Sequence, residues 1–270
     1  MQPAAGGFRR YDRTLAEFRH GGGVILIPFV LLYLIAVGIV WLTHLSPARP
    51  FFASCIGIAG PFFASVAVLF SLFAAFLAND VQHVQAEAKA AVFREADGIR
   101  TILRLAEALG GSGHLVRTEA VNYAQSVLDQ EFPAMRQGAK TKDLSALRNL
   151  SLAVLASSLA TTAPPVVLQA MVDGLIEVRQ ARMERLLLAA GLSDQMGWLA
   201  MLALGVLTQV AVAVVQLERL RPQALALFVF TTAFAATVVI IGLGERPFSR
   251  DLVDDSPLRA AVASAILGRL

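Results

Sequence analysis

Four long apolar runs divide the chain, and each is about as long as a helix needs to cross a bilayer. The runs cover residues 24–43, 51–78, 196–217 and 223–244, and spanning the hydrocarbon core takes about 20 apolar helical residues. None of the four contains Asp, Glu, Lys, Arg or His, so none would place a charge in lipid. This pattern predicts an all-α polytopic membrane protein with four transmembrane helices and a helical insert between the second and third.

The first two runs each carry a further signal. The first is longer than the apolar region of a cleaved signal peptide, which is about 7–15 residues, and no small-residue cleavage site follows it. We therefore interpret it as a retained spanning helix. The second contains Gly57, Gly60 and Pro61. Because proline removes a backbone donor and crowds the preceding turn, we expect a bend there.

Lysine and arginine are distributed unevenly around the predicted spans. Twenty of them lie in residues 1–23, 79–195 and 245–270, whereas three lie in the two short loops between spans. Basic residues near spanning helices favour the cytoplasmic side. We therefore expect the N-terminal segment 1–23, the helical domain 79–195 and the tail 245–270 to be cytoplasmic.

The domain 79–195 shows helical spacing of its apolar residues throughout. Helix breaks are predicted at 110–113, which reads Gly-Gly-Ser-Gly, at 133–138, and at Pro164-Pro165. Residues 79–109 are expected to continue the second span, and residues 166–190 to continue into the third. The simplest architecture is a helical stalk with a short helical hairpin between its two arms.

The composition argues against several other classes of protein. The net charge is +3 and only 16% of residues are charged, far from the dense basic surface of a nucleic-acid-binding protein. The histidines are scattered and the single cysteine, Cys55, lies in an apolar run, which gives neither a metal-binding pattern nor an activated nucleophile. The glycines of 110–113 are not followed by the lysine of a phosphate-binding loop. We expect no enzymatic activity, no nucleic-acid partner, and membrane lipid as the surroundings.

Two motifs at the ends of spans carry a resemblance. The second span ends in Phe76-Leu77-Ala78-Asn79-Asp80, and the fourth is followed by Glu245-Arg246-Pro247-Phe248-Ser249. Together with the layout, they resemble the bacterial bestrophin-like domain family, and more distantly the bestrophins. Leu77 stands where bestrophins often have arginine, and Ser249 where they have glycine. The resemblance implies a chloride-type anion channel in the bacterial inner membrane, built as a homo-oligomer, a pentamer in the bestrophins.

The resemblance also implies where the narrow part of a pore would lie. Bestrophins line this neck with apolar residues one helical turn apart on the second span, and counting back from Asn79 gives Val68, Leu72 and Phe76. A spacing of four puts the three side chains on one face. The alternative is that this face packs against another helix or contacts lipid.

The tail has two kinds of candidate residues. In some bestrophins an acidic cluster after the Pro-Phe element binds calcium, and Asp251, Asp254 and Asp255 occupy a similar stretch here. Carboxylates are the ligands that calcium prefers. The alternatives are a solvated loop or the cap of a helix over 256–270, where Asp255 or Ser256 suits the N-terminal positions. Pro247 and Phe248 are expected to dock the tail onto the stalk, and Arg246 to pair with a nearby acid, such as Glu245, Asp251 or Glu87.

A basic stripe precedes the third span. Arg179, Arg182 and Arg185 recur at a spacing of three. One interpretation is that they anchor the chain to anionic lipid, at about 1 kcal/mol each. The other is that they concentrate anions in a vestibule.

Two functions are compatible with these patterns. The first is an oligomeric ion channel with the second span lining the pore. The second is a non-conducting membrane scaffold or sensor whose helical domain binds a partner or ligand. A monomer or dimer would favour the second, because a central pore needs a ring of subunits.

Overall fold

The computed structural model describes residues 26–47, 49–54, 56–138, 145–191, 195–248 and 252–267. Most of these residues are helical, and this part of the chain contains no strand. The helices are α1 (Leu26–His44), α2 (Arg49–Ser54), α3 (Ile56–Ala108), α4 (His114–Ser126), α5 (Phe132–Arg136), α6 (Ser145–Val154), α7 (Ser157–Thr162), α8 (Pro165–Ala189), α9 (Gln195–Val215), α10 (Leu220–Gly244) and α11 (Ser256–Leu267). A 3₁₀ turn (Gly110–Gly113) joins α3 to α4, and a π-helical turn (Val127–Glu131) joins α4 to α5.

The chain divides into two compact units. The first, here called the membrane unit, comprises Met1–Asn79 and Asp194–Leu243. The second, called the insert unit, comprises Asp80–Ser193 and Gly244–Leu270. The insert unit therefore combines the segment between the second and third long apolar helices with the C-terminal tail.

Four helices of the described chain are long and apolar enough to cross a membrane. They are α1, α9, α10 and the part of α3 that starts at Phe63, with mean hydropathies of 2.5, 2.2, 2.5 and 1.8. These lengths meet the requirement of about 20 residues. The predicted all-α chain with four spanning helices is confirmed.

Several boundaries can be compared with the sequence-based predictions. α3 runs without interruption to Ala108, as predicted for a span that extends into the insert. α8, in contrast, does not continue into the third span, because it ends at Ala189 and Gly191 has a φ of 67°. Only glycine adopts this left-handed conformation readily, and it commonly terminates helices. The predicted break at 133–138 is found at its far end, where α5 ends at Arg136 and Gly138 has a φ of 66°. Pro133 itself lies within the helix, in the first turn of α5.

Helices α9 and α10 approach closely at a glycine in the membrane unit. A Cβ on Gly205 would lie 2.1 Å from Cζ of Phe234, so the phenyl ring occupies the space where any larger residue would begin. The ring of Phe70 on α3 meets Phe234 edge-on at 5.2 Å and Phe230 at 5.7 Å between ring centres. Aromatic pairs at these distances add to simple burial, so this cluster joins three helices of the unit.

Uncharged hydrogen bonds supplement this packing. Tyr33 on α1 shares a 2.6 Å hydrogen bond with Thr232 on α10. The buried Gln223 donates through Nε2 to the backbone oxygen of Ala213 (2.8 Å) and to Oγ1 of Thr43 (3.2 Å). The start of α10 is thereby tied to both α1 and α9 without placing a charge in an apolar environment.

The insert unit has its own apolar core, to which α3, α4, α6, α8 and α11 contribute. Its largest fully buried apolar side chains are Ile99, Ile102, Tyr123, Phe132, Leu150, Met171 and Leu258. Glycines set the spacing of α3 and α8, because a Cβ on Gly98 would lie 2.8 Å from Cγ2 of Val178 and 3.0 Å from the backbone oxygen of Gly174. The 3₁₀ turn is equally tight, since a Cβ on Gly113 would lie 2.0 Å from the backbone oxygen of Ala106.

The contact at Gly205 predicts a specific sensitivity. Gly205→Ala should destabilise the protein by about 1–3 kcal/mol, because the new methyl group overlaps Phe234 and the core must shift to accept it. Gly38→Ala on α1 is the matched control, because nothing lies within 4 Å of its added Cβ. Thermal unfolding in detergent measures both, and equal shifts would contradict the inferred contact.

Candidate functional site

Three apolar side chains form an uncovered face on α3 within the membrane unit. Val68, Leu72 and Phe76 are 66%, 45% and 61% exposed, and they lie about one turn apart. The other side of the helix is used for packing, because Val66 and Leu77 are buried there. The structure therefore separates a packed side of α3 from a side that the described residues of the chain leave exposed.

The residues that follow the last span fold into the insert unit. Gly244 packs so closely against α3 that a Cβ would lie 2.3 Å from Cγ1 of Val81. Nε2 of Gln85 donates a hydrogen bond to the backbone oxygen of Gly244 (3.1 Å). After Glu245 and Arg246, the next two residues, Pro247 and Phe248, are both buried. The tail is thus held from its first residue.

Phe248 of the tail motif makes an aromatic contact within the insert unit. Its ring meets Phe132 of α5 edge-on at 6.1 Å, so the tail packs on a short helix of the insert as well as on α3. Arg246 lies on the surface. The two members of the motif that are apolar therefore have a structural role, and the cationic one faces outward.

A network of buried charges lies within the insert unit. Arg185 has no solvent exposure, and it donates through Nε to Oε2 of Glu95 (2.6 Å) and through Nη2 to Oε2 of Glu131 (2.5 Å). Arg182 donates to the other oxygen of Glu131 through Nε (3.0 Å) and Nη2 (2.6 Å). Tyr123 donates its hydroxyl to Oε1 of Glu95 (2.6 Å). Two arginines thus balance two glutamates, as buried charges require.

Two of the three hydrogen-bond donors of this network, Arg185 and Tyr123, have raised pKa values. Burial lowers the pKa of Arg185, but the adjacent Glu95 carboxylate and its hydrogen bonds outweigh this effect, so the pKa lies above its ordinary value. Burial raises the pKa of Tyr123 well above its ordinary value, and the charge of Glu95 raises it further. The phenol and the guanidinium therefore remain donors across the physiological pH range.

The π-helical turn brings Glu131 into this network. A π turn inserts one extra residue into a helix and so rotates the side chains that follow it, and such turns are frequent at functional sites. Glu131, the last residue of the turn, is only 2% exposed, and Phe132 directly after it is buried. The guanidinium carbon of Arg185 lies 5.4 Å from the centre of the Phe132 ring, a cation–π contact. The network therefore reaches the tail through Phe132 and Phe248.

The predicted basic stripe before the third span is wrong for two of its three members. Arg182 is largely buried and Arg185 fully buried, each in ion pairs with glutamate, and only Arg179 is exposed. The signal that could have revealed this was the position of Glu95. It lies among Val92, Ala96 and Ile99, all of which are buried, and a carboxylate on an apolar helix face needs a cationic partner.

The acidic residues of the tail have protein partners where the structure describes them. Oδ1 of Asp254 accepts the backbone N–H of Ser256 (3.1 Å), and Asp255 pairs with Arg259 at 2.9 and 2.8 Å. α11 begins at Ser256, as one of the sequence-based alternatives predicts. Asp251 lies outside the described residues, and the described part contains no cluster of three metal-binding side chains. Calcium binding here stays a prediction.

These features define a class of protein, a helical membrane protein with four spans and a charge-paired helical unit completed by its tail. A family model of the Bestrophin-like domain matches residues 30–253. The chain belongs to this family. No curated protein matches the sequence.

Solved structures show the same fold. A bacterial Bestrophin homolog from Klebsiella pneumoniae is similar with a TM-score of 0.61 at 15% identity, covering 89% of this chain and 95% of that one. Two variants of that homolog have TM-scores of 0.62 and 0.58 at 13% and 16% identity, covering 89% of this chain and 93% and 96% of theirs. At such identities the likeness establishes the fold alone.

The charge network predicts a large effect of removing its central cation. Arg185→Met should destabilise the insert unit by about 3–5 kcal/mol, because it leaves the buried Glu95 and Glu131 without a shared partner. Arg179→Met removes an exposed arginine two turns away and should cost little. Denaturant unfolding compares the two variants, and a similar loss from both would show that the network is not the cause.

The tail should loosen in acid because of Asp255. The hydrogen bond from Arg259 holds the pKa of Asp255 below its ordinary value, although burial opposes this. The stabilisation is therefore complete above the ordinary carboxyl pKa of about 3.9 and is lost as the pH falls through the lowered value. Hydrogen exchange of α11, corrected for its intrinsic pH dependence, should accelerate in acid. In Asp255→Asn the acceleration should disappear, whereas Asp173→Asn, an exposed control, should retain it.

Proposed function

We propose that the chain is an oligomeric ion channel of the bestrophin kind, in which ions pass along α3. The observation that carries the proposal is the uncovered face of Val68, Leu72 and Phe76. It lies on the only one of the four long apolar helices in the described chain that also extends far into the insert unit. Membership in the Bestrophin-like family supports the same class of function.

A ring of copies would convert this face into a constriction. Each copy would contribute three apolar side chains at successive levels of one axis, and apolar constrictions can gate ions by excluding water. The four apolar runs contain no Asp, Glu, Lys, Arg or His, so a conduction pathway through them depends on pore dimensions and backbone dipoles rather than buried charge. By resemblance to the bestrophins, we propose a pentamer that passes anions such as chloride.

One observation favours the alternative, a non-conducting scaffold. The insert unit exposes Leu152, Leu155 and Val166, at 63%, 64% and 80%. Exposed apolar residues in one unit suit a partner surface. The mass of the purified particle separates the two functions, because a monomer or dimer has no central pore.

Phe76 provides the functional test. In planar bilayers, the purified protein should give single-channel steps, and Phe76→Ala should raise the conductance or the open fraction several-fold, since it removes the bulkiest side chain of the proposed neck. Ile240→Ala is the matched control, because Ile240 is 69% exposed on α10 in the same unit and should leave the steps unchanged. The reversal potential in a salt gradient gives the sign of the permeant ion.

Absence of steps over a wide range of salts and voltages would contradict the channel. Steps that respond equally to both variants would retain a channel but remove α3 from its neck.

A further inference from the structure

One face of α3 in the insert unit carries three side chains of the types that bind metal ions. Asp80, His83 and Glu87 lie at positions i, i+3 and i+7 of this uninterrupted helix, which places them within about 60° of one another around its axis. Asp80 and His83 are exposed, and Glu87 is partly exposed. The face therefore presents one imidazole and two carboxylates outward.

The tail packs on the other side of this part of α3. Gly244 approaches Val81 closely and accepts a hydrogen bond from Gln85, and both of these residues lie about 160° around the helix axis from His83. Lys89, the next cationic residue along α3, is turned about 160° away from Glu87. With the imidazole neutral, the two carboxylates give the face a net charge of about −2 at neutral pH, which favours a divalent cation.

The distance between His83 and Glu87 fits a metal ion held by both. Nδ1 of His83 lies 3.3 Å from Oε1 of Glu87, whereas a hydrogen bond between charged groups of this kind is typically about 2.7–2.9 Å long. Zinc bonds to nitrogen and oxygen are about 2.0–2.1 Å long, and at a tetrahedral angle they hold the two ligand atoms about 3.3 Å apart. The two side chains are thus already at the separation of a chelate.

Asp80 supplies a third ligand if its side chain rotates. The three groups do not converge on one point in the structure. Within the part of the chain that the structure describes, however, Asp80 has no hydrogen-bond or ion-pair partner that would hold it. An acidic residue three positions before a histidine is the ligand spacing of di-iron carboxylate proteins, and a spacing of four places two zinc ligands on one helix face. His83 has a carboxylate at each of these spacings.

We propose that Asp80, His83 and Glu87 bind a divalent transition-metal ion such as Zn²⁺. An imidazole nitrogen together with carboxylate oxygens suits zinc, whereas calcium and magnesium prefer oxygen ligands alone. Three protein ligands leave a fourth position for water. The site depends on one imidazole, which is why the scattered histidines of the sequence did not reveal it.

Zinc binding to the tag-free, full-length protein in detergent tests the site. After treatment with a chelator, calorimetric titration should give a single Zn²⁺ per chain, and His83→Ala should weaken binding by more than about ten-fold, because even groups that only support a ligand contribute that much. His114→Ala is the matched control, since His114 is also exposed on a helix but has Thr118, not a carboxylate, four residues later. Binding that His83→Ala leaves unchanged, or that both variants weaken equally, overturns the proposal.

Thermal unfolding tests the two carboxylates. Zn²⁺ should raise the unfolding temperature of the unmodified protein, because a ligand that binds only the folded state stabilises it. Asp80→Asn and Glu87→Gln keep the size of each side chain and should each reduce this shift, whereas Asp97→Asn, at an exposed position farther along α3, should retain it. None of the three residues is buried, so the variants should fold. A full shift in either ligand variant, or an equal reduction in Asp97→Asn, overturns the three-ligand site.

Discussion

The pairing of Arg185 with Glu95 and Glu131 is the constraint on which the insert unit depends. A buried guanidinium is tolerated only when carboxylates surround it, and each of those carboxylates in turn needs a donor. Because the partners come from α3, the π-helical turn and α8, none of these elements can slide without separating charges in an apolar interior. The close approach at Gly98 and Gly174 keeps α3 and α8 within reach of one another. A short polar network thereby fixes the register of long helices.

The membrane unit is organised by a different kind of interaction. Its helices are joined by phenyl rings that meet edge-on and by hydrogen bonds among uncharged groups, such as Tyr33 with Thr232 and Gln209 with Thr231. Charges would be costly at lipid depth, whereas amides and hydroxyls contribute modestly at lower risk. Oε1 of Gln209 accepts no hydrogen bond from the described residues. The two units thus use different interactions, because ion pairs lie outside the apolar spans and packing joins the helices within them.

The spans were predictable because a bilayer imposes length and composition on a single segment, so each can be recognised without its neighbours. The roles of Arg182 and Arg185 were not, because a spacing of three looks the same on a solvated face and in an ion-paired core. The end of α8 was also not predicted. It is set by one left-handed glycine, Gly191, and the apolar residues around this glycine suggest a continuous helix. The residues Val68, Leu72 and Phe76 on the exposed side of α3 could be named from the sequence. The molecules that cover them could not, because the periodic pattern of one chain does not identify its neighbours.

The contact between Phe132 and Phe248 has a consequence for biosynthesis. Phe132 emerges from the ribosome more than a hundred residues before Phe248, and two apolar spans are made in between. At about 5–20 residues per second, the delay is on the order of ten seconds. During this time, the core that Leu258 and its neighbours will fill remains open. Part of the apolar core of the nascent insert unit is therefore uncovered until the last helix has entered the bilayer and the tail can pack against that core.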